Sequence, residues 1–395
     1  MRHVVFVNPV GVIGGAERVL LAAVDAVRTH AHVTVLLLGA GPLDAALRER
    51  DVAVRVLPLP PVLSGLGDSQ LRNSSKLRAL ARLASTVIAV SPDVVKFLRQ
   101  FRTILRELQP TLVHSNGAKS HLLLALGGVK VPIVWHVHDF YSERPLMAKL
   151  LRNVRKSVSH IVAISDAVKR DVETIRPGVA ITTVRNCVDT QHFSPLEREA
   201  TLPFRVGLVA TYANWKGHRV FLDALARLPS DAQGYIVGGP IYATAGSQVT
   251  REELQSHAEA LGIAGRVVFL PFQPYPVSVY RMLDVVVHAS TRPEPFGLTI
   301  AEAMSCGRAV IVAAAGGAIE LFTDGVDAIG YKPGDAADLA SAIARILDDE
   351  PLRKRLEANA RMTAVRAFAP ERFGNELREV HERIFNEKSP RGLLA

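Results

Sequence analysis

Short runs of aliphatic and β-branched residues alternate with helix-period segments along most of the sequence. Residues 3–8 form the first such run, and residues 32–38 form the next. Between them, apolar residues recur at i, i+3, i+4, i+7, i+8 and i+11, the stripe of an amphipathic helix: Ala16, Val19, Leu20, Ala23, Val24 and Val27. Because strands that alternate with helices are typical of parallel sheets with crossover helices, the sequence predicts an α/β fold.

The alternation of predicted strands and helices occurs once in each half of the chain. Further strands of the first half are predicted at residues 53–57, 111–115, 132–138, 160–164 and 180–184. Those of the second half are predicted at residues 204–210, 234–237, 267–269, 285–288 and 309–312, and residues 351–387 have helical periodicity. A polar segment with neither period separates the halves, and 395 residues exceed what one core usually organises. We therefore predict an N-terminal Rossmann-like domain (1–195), a linker (196–203) and a C-terminal Rossmann-like domain (204–370).

Composition and charge restrict the class of protein. Hydrophobic residues make up 48% and charged residues 22% of the chain, as in globular enzymes, and no apolar run reaches the roughly 18 residues of a membrane span. The two cysteines, Cys187 and Cys306, are too few for a disulfide framework, so we expect a cytoplasmic protein. The net charge of +9 favours an anionic partner: nucleotide phosphates, an anionic membrane face or nucleic acid. Nucleic acid is the least favoured, because no recognised nucleic-acid-binding motif is present.

The most specific motif follows the predicted strand at 285–288 and runs from Arg292 to Met304. A strand, a loop and a helix start present free backbone N–H groups, which favour a diphosphate at Phe296–Thr299. Glu294 and Glu302 add two carboxylates, which accept hydrogen bonds from sugar hydroxyls. The alternative is that Glu294 is a solvated loop residue and Glu302 an ordinary surface residue of a helix.

Two further segments carry weaker signals for phosphate binding. Lys216 stands at a predicted helix entrance, where it can act as a point charge for a phosphate or simply cap the helix. Gly11, Gly14 and Gly15 lie between the first strand and the first helix. Glycines there let the backbone approach a ligand, although turn geometry alone also explains them.

Polar residues also follow a buried strand of the first domain. His136, His138 and Asp139 stand at its carboxyl end, where open α/β sheets bind ligands. We predict that His138, which is nearer the tip, is functional; either histidine could instead be a core residue bonded to backbone. A metal site at this pair has no third ligand nearby in the sequence. Gly316 and Gly317 follow the strand at 309–312 and are predicted to close the same ligand cleft or to form a turn.

Together these motifs resemble the retaining GT-B glycosyltransferases of family 4 (glycosyl transferases group 1). The resemblance extends over the whole chain, in order, and is carried by Gly14–Glu17, His138–Asp139, Arg185–Asp189, Lys216–Gly217, Glu294 with Glu302, and Gly316–Gly317. It implies two Rossmann-like parallel-sheet domains that face a central cleft, with a last helix (371–388) that crosses back to the first domain.

The resemblance also implies a substrate and a set of roles. The donor would be a UDP- or GDP-sugar, with no metal and no other cofactor. Glu302 would bind the ribose, Glu294 the transferred sugar, and Lys216 the diphosphate. Gly15 would contact phosphate and His138 the donor sugar, which makes His138, Glu294 and Lys216 the catalytic residues. The implied donor-binding set is Gly14, Gly15, Thr211, Lys216, Glu294, Phe296, Gly297, Leu298 and Glu302.

One position departs from the family pattern. Members commonly carry an arginine five residues before the lysine, where this chain has Thr211. Either Arg219 or Arg292 supplies the second cation, or the phosphate site is weaker. Two alternatives to a retaining transferase with front-face chemistry therefore stay open: a non-catalytic nucleotide-sugar-binding protein and a sugar-nucleotide epimerase.

The acceptor is not indicated by the sequence; a glycan, a lipid-linked or a small-molecule acceptor would each fit. The basic residues Lys149, Arg152, Arg155 and Lys156 lie on a predicted helix beside leucines. They could dock the protein peripherally on the anionic inner face of a membrane, or they could be a solvated helix face.

Overall fold

The computed structural model describes residues 2–64, 92–154, 158–196, 203–240 and 248–387. The chain divides into two units of dense internal contact. Unit 1 comprises Met1–Arg185 and Phe373–Ala395, and unit 2 comprises Asn186–Arg372.

In its described residues, unit 1 contains one parallel sheet of seven strands. The strands are β1 (His3–Asn8), β2 (His32–Leu37), β3 (Ala53–Val56), β4 (Leu112–Asn116), β5 (Ile133–Val137), β6 (His160–Ala163) and β7 (Ile181–Thr183). They lie in the order β3-β2-β1-β4-β5-β6-β7. The order reverses between β1 and β4, so the carboxyl ends of these strands border the switch point at which such sheets bind ligands.

The described helices of residues 1–185 lie between the strands of unit 1. They are α1 (Gly15–Val27), α2 (Pro42–Arg48), α3 (Pro61–Ser64), α4 (Pro92–Leu108), α5 (Ala118–Leu126), α6 (Pro145–Asn153) and α7 (Asp166–Ile175). In α1, the residues Val19, Leu20, Val24 and Val27 of the predicted stripe are buried. Burial of this stripe explains why the segment is helical, because its opposite face is left to solvent.

Helix α6 contains the part of the predicted membrane-docking segment that lies in the described residues. Lys149 and Arg152 are exposed, whereas Leu151 is buried in unit 1 and Leu150 is 37% exposed. The other two basic residues, Arg155 and Lys156, lie outside the described residues. The apolar side of the helix is therefore largely used in packing. None of the described helices is both long enough and apolar enough to cross a membrane.

Unit 2 repeats the same topology, with six parallel strands in its described residues. They are β8 (Phe204–Val209), β9 (Ala232–Val237), β10 (Val267–Leu270), β11 (Val285–His288), β12 (Ala309–Ala313) and β13 (Ile329–Tyr331), in the order β10-β9-β8-β11-β12-β13. Its helices are α8 (His218–Leu225), α9 (Arg251–Ala260), α10 (Val277–Met282), α11 (Leu298–Ser305), α12 (Ala336–Asp348) and α13 (Glu350–Ala367). The switch point lies between β8 and β11. Two parallel sheets confirm the predicted α/β class.

The C-terminal region contains two helices, α13 and α14 (Pro370–Glu387), although residues 351–387 have one helical period. The resemblance implied a separate last helix at 371–388, and α14 starts one residue before that range. The break falls before Pro370, because proline has no N–H to continue α13 yet fits the first turn of a new helix. Helix α14 begins in unit 2, and from Phe373 onward it belongs to unit 1. Strand β13 was not predicted; it has only three residues.

The unit boundary lies at Asn186, before the predicted linker. The segment after it packs within unit 2: the Val188 N–H donates to the Phe368 carbonyl, and the Phe193 carbonyl accepts from Ser305 Oγ. These contacts attach the segment to α11 and α13. Residues 197–202 of the predicted linker lie outside the described residues.

Five histidines gather in unit 1: His114, His121, His136 and His381, which are buried, and His138, which is partly buried. His114 Nδ1 and His381 Nε2 are 3.0 Å apart, which joins β4 to α14, and the rings of His136 and His138 are 4.3 Å apart. Burial lowers the pKa of each of these histidines, to about 4 for His138 and to about 3 for His381. They are therefore neutral in the folded protein at neutral pH.

We expect this cluster to make the folded protein acid-sensitive. Since the folded pKa values are lower than the unfolded value of 6.5, the unfolded chain binds more protons below pH 6.5. Above pH 6.5 the buried neutral histidines make their full contribution to the free energy of unfolding. As the pH falls from 6.5 toward the folded pKa of a histidine, the free energy of unfolding decreases by about 1.4 kcal/mol per pH unit for that histidine. Calorimetric melting temperatures from pH 7.5 to pH 5 should fall steeply.

His381→Leu should make that decline shallower. The matched control is His192→Leu, which replaces an exposed histidine and should leave the slope of the wild-type protein unchanged. An equal pH dependence in the wild type and in His381→Leu would contradict the assignment.

Candidate functional site

An ion pair lies at the switch point of unit 2. Lys216 follows β8 and Glu294 follows β11, the two strands between which the sheet order reverses. Lys216 Nζ is 2.7 Å from Glu294 Oε2, and the two side chains are 23% and 15% exposed. The topology thus brings together a cation and a carboxylate that are 78 residues apart in the chain.

The Glu294 carboxylate is held by three donors at the same oxygen. Besides Lys216, Ser290 Oγ donates to Oε2 at 2.8 Å and His288 Nε2 donates at 3.2 Å. The other oxygen, Oε1, accepts no hydrogen bond from the described residues and is not buried. Burial by itself would raise the pKa of Glu294, but the Lys216 charge and the His288 hydrogen bond outweigh it and hold the pKa well below its usual range. Glu294 is therefore a fixed anion with one oxygen available to a ligand.

Two glycines allow close backbone packing beside Lys216 and Glu294. Gly217, directly after Lys216, has φ +74°, and a Cβ there would lie 1.8 Å from the Ala289 carbonyl oxygen. Gly316 has φ +69°, and a Cβ there would lie 2.6 Å from the Glu294 carbonyl oxygen. The neighbouring Gly317 N–H donates to that carbonyl at 2.7 Å. The predicted Gly316–Gly317 turn thus supports Glu294 directly.

Helix α11 begins beside Glu294. Gly297 precedes it with φ +107° and no side-chain cap. The N–H groups of Leu298 and Thr299 donate to no acceptor in the part of the chain that the structure describes. They are free donors at the positive end of the helix. The Phe296 ring is buried and packs edge-to-face on Phe368, so its side chain belongs to the core.

Glu302 lies inside unit 2, one helical turn into α11. It is 1% exposed, which rules out the alternative of an ordinary surface residue. Tyr280 Oη, from α10, donates to Glu302 Oε2 at 2.8 Å. A carboxylate at this depth requires such donors, because an ionised group without them is expensive to bury.

The position of Thr211 offers no cation. Thr211 follows β8, and its carbonyl accepts from the Ala213 N–H. Both candidate replacements, Arg219 and Arg292, have exposed side chains.

In unit 1, the predicted glycine loop forms the N-terminus of α1. Gly14 is the N-cap, and its N–H donates to Glu17 Oε2 at 3.0 Å. The N–H groups of Gly15 and Ala16 find no acceptor in the described ranges. Gly15 can therefore offer its amide to an anion, whereas the Gly14 amide is already used. Gly11 is explained by packing, since a Cβ there would lie 2.4 Å from the Ala40 backbone.

His138 is the end of a chain of side-chain hydrogen bonds at the switch point of unit 1. Asn8 Nδ2 donates to the Val10 carbonyl, Asn116 Nδ2 donates to Asn8 Oδ1 at 2.7 Å, and His138 Nε2 donates to Asn116 Oδ1 at 2.5 Å. His138 Nδ1 is buried and has no partner among the described residues. A ligand can reach this nitrogen only if the ring or its neighbours move. His136 is buried beside it and belongs to the core.

Sequence reasoning missed four polar residues at these sites: His288, Ser290, Asn116 and Tyr280. His288 and Asn116 end buried strands, and Ser290 follows closely, so the rule that selected His138 would also have selected them. Tyr280 has no comparable signal, because only the packing of α10 on α11 brings it to Glu302.

Comparisons with known proteins identify the family of the chain. The sequence profile of the family described as Glycosyl transferases group 1 matches residues 195–363, and that of Glycosyltransferase Family 4 matches residues 92–192. Together the two matches span more than half of the chain.

Individual relatives and solved structures share 18–33% of their residues with this chain over the aligned regions. A D-inositol 3-phosphate glycosyltransferase from Mycolicibacterium smegmatis is 33% identical over 214 residues, covering 51% of this chain and 46% of that protein. The chain thus spans about half the length of the curated relatives it matches. Anabaena HepE, solved in complex with UDP-glucose, is 25% identical, with a TM-score of 0.79 over 97% of this chain and 100% of HepE. Sucrose-phosphate synthase from Thermosynechococcus elongatus is 18% identical, with a TM-score of 0.78 over 98% and 100%, and shares the fold.

We expect Gly316→Ala to disturb the Glu294 loop. A Cβ at Gly316 clashes with the backbone of Glu294, and the backbone conformation is one that side chains rarely adopt. The free energy of unfolding in urea should fall by about 3 kcal/mol or more. The matched control is Gly325→Ala, which has φ +71° but no atom within 4 Å of the added Cβ. It should lose only about 1–2 kcal/mol; equal losses in the two variants would contradict the role of Gly316.

Proposed function

The chain belongs to the family 4 glycosyltransferases with a GT-B fold, and from this we propose that it transfers a sugar from a nucleotide-diphosphate-sugar to an acceptor. We propose further that transfer retains the anomeric configuration and requires no metal ion. The observation that carries the proposal is the Lys216–Glu294 pair beside the free amides of α11.

The charges of this site suit the donor. Breaking the bond between sugar and diphosphate builds negative charge on the leaving phosphate and positive charge on the sugar. Lys216 and the amides of Leu298 and Thr299 are fixed donors for the leaving group, and such groups lower the barrier when they are oriented in advance. They supply the positive charge that a divalent cation would otherwise bring, which supports the proposed independence from metals.

Glu294 is assigned to the transferred sugar. Its low pKa keeps it ionised, and its free Oε1 can accept from a sugar hydroxyl. Because three donors hold Oε2, we assign Glu294 to hydroxyl recognition and not to nucleophilic attack. The other roles follow from the family: Glu302 at the ribose, Gly15 at a phosphate and His138 at the donor sugar.

We take UDP-sugars as the first donors to examine, since the HepE complex contains UDP-glucose; GDP-sugars are the second choice. The acceptor stays unassigned among glycans, lipid-linked sugars and small molecules. A cytoplasmic location is part of the proposal. Contact with an anionic membrane through α6 is a separate hypothesis. Co-sedimentation with liposomes that does not depend on anionic lipid would refute it.

The two rival functions are distinguishable from transfer. A non-catalytic binding protein would bind the nucleotide-sugar without turnover, a possibility that Thr211 in place of the usual arginine motivates. An epimerase would change the sugar nucleotide with no acceptor present. Product analysis with and without acceptor separates all three.

We expect Glu294→Gln to separate sugar transfer from nucleotide binding. Transfer from a UDP-sugar should fall about 100-fold, because the amide cannot hold the sugar as the carboxylate does. The affinity for UDP alone should stay the same or rise, because Lys216 is no longer neutralised by Glu294. Calorimetric titration with UDP and a radiolabelled transfer assay give the two measurements.

The matched control for this variant is Glu350→Gln. Glu350 Oε1 pairs with Lys354 Nζ at 3.0 Å on the exposed side of α13, so the substitution removes a Lys–Glu ion pair whose residues have no assigned role. It should change neither measurement. Full transfer activity in Glu294→Gln would refute the site assignment.

We expect a nucleotide-sugar to stabilise the protein and to yield a product with the donor's anomeric configuration. Ligand binding to the folded state raises the melting temperature, so UDP-, GDP- and ADP-sugars can be ranked by thermal shift. The anomeric proton coupling of the product, measured by NMR with EDTA present, then reports configuration and metal dependence together. Inversion, or a loss of activity in EDTA, would contradict the corresponding part of the proposal.

A further inference from the structure

The buried carboxylate of Glu302 is oriented by a side chain from a different helix. Tyr280 lies on α10 and is fully buried, at 0% exposure, and its hydroxyl donates to Glu302 Oε2 at 2.8 Å. Glu302 itself is 1% exposed and lies on α11, the helix whose first amides are free. Both partners are fixed by packing within unit 2.

This contact restricts the rotation of the Glu302 carboxylate. A glutamate side chain has three rotatable bonds, and fixing them opposes binding through lost rotamer entropy. A tyrosine whose ring is locked in the core has no such freedom left to lose. Its hydroxyl therefore holds Oε2 in one place before any ligand arrives, and pre-orientation of this kind increases affinity.

We propose that Tyr280 is a positioning residue, which orients Glu302 to accept hydrogen bonds from the ribose diol of the nucleotide. The inference rests on the proposed function, in which Glu302 faces the ribose. It adds that the preference for a ribonucleotide depends on the Tyr280 hydroxyl, which acts through Glu302.

The consequence is a defined selectivity. A carboxylate in the correct plane accepts from both the 2′- and the 3′-hydroxyl, whereas a freely rotating one loses much of that advantage. A site built to accept from a hydroxyl rejects the analogue that lacks it. The ratio of the dissociation constants of 2′-deoxy-UDP and UDP therefore reports the orientation of Glu302.

Tyr280→Phe tests the proposal, because it removes one oxygen atom and keeps the ring. We expect the affinity for UDP to fall about tenfold and the 2′-deoxy-UDP to UDP ratio to approach one, with kcat at saturating UDP-sugar changed less than twofold. The matched control is Tyr331→Phe in the same unit. The Tyr331 hydroxyl is also buried but has no partner in the described residues, so its removal should leave the ratio at the wild-type value.

Melting temperatures show that the variants are folded, and a purely structural role for Tyr280 would lower stability without changing the ratio. A wild-type ratio in Tyr280→Phe would overturn the inference. So would a wild-type ratio in Glu302→Gln, which keeps an acceptor for Tyr280 but loses the carboxylate. If the wild-type protein binds neither UDP nor UDP-glucose, the proposed function fails. If it binds UDP with a ribose preference that Tyr280→Phe leaves intact, only the present inference fails.

Discussion

The chemistry of unit 2 depends on the ion pair between Lys216 and Glu294. Each partner is mostly buried, and each would be costly to leave alone there. The Lys216 charge is the main cause that holds the pKa of Glu294 well below its usual range. Ser290 and His288 add hydrogen bonds to the same oxygen, so one side of Glu294 is saturated and the other is open. Contacts within the protein thus hold both charged groups in position.

Topology makes this pairing possible. The strand order of this sheet reverses between β8 and β11, and parallel sheets bind ligands beyond the carboxyl ends of the strands at such a point. Lys216 comes from the loop after β8 and Glu294 from the loop after β11. Gly217 and Gly316 then allow the loops to approach backbone that any side chain would strike. In unit 1 the strand order reverses in the same way between β1 and β4. Asn8 and Asn116 end these two strands and orient His138.

Much of this arrangement could be predicted from the sequence, because it depends on local patterns. Buried parallel strands read as continuous apolar runs, and Glu294, Lys216 and His138 each follow such a run. What depends on packing between distant segments could not be predicted. Nothing near Tyr280 in the sequence indicates that it meets Glu302. Strand β13 was also missed, because a glycine stands at the centre of its three residues and glycine is depleted in strands.

In the proposed function, the pairing of Lys216 with Glu294 would also connect the sites for the two ends of one ligand. A nucleotide-diphosphate-sugar carries its phosphates and its transferred sugar on either side of the bond that breaks. Lys216 keeps donors beyond the one given to Glu294, since an ammonium group has three. A phosphate can therefore bind Lys216 while Glu294 still orients it, and a sugar hydroxyl can bind Oε1 while Lys216 still holds Oε2. In the proposed function, the cation and the carboxylate would thus align each other, and the scissile bond would lie between the groups that they bind.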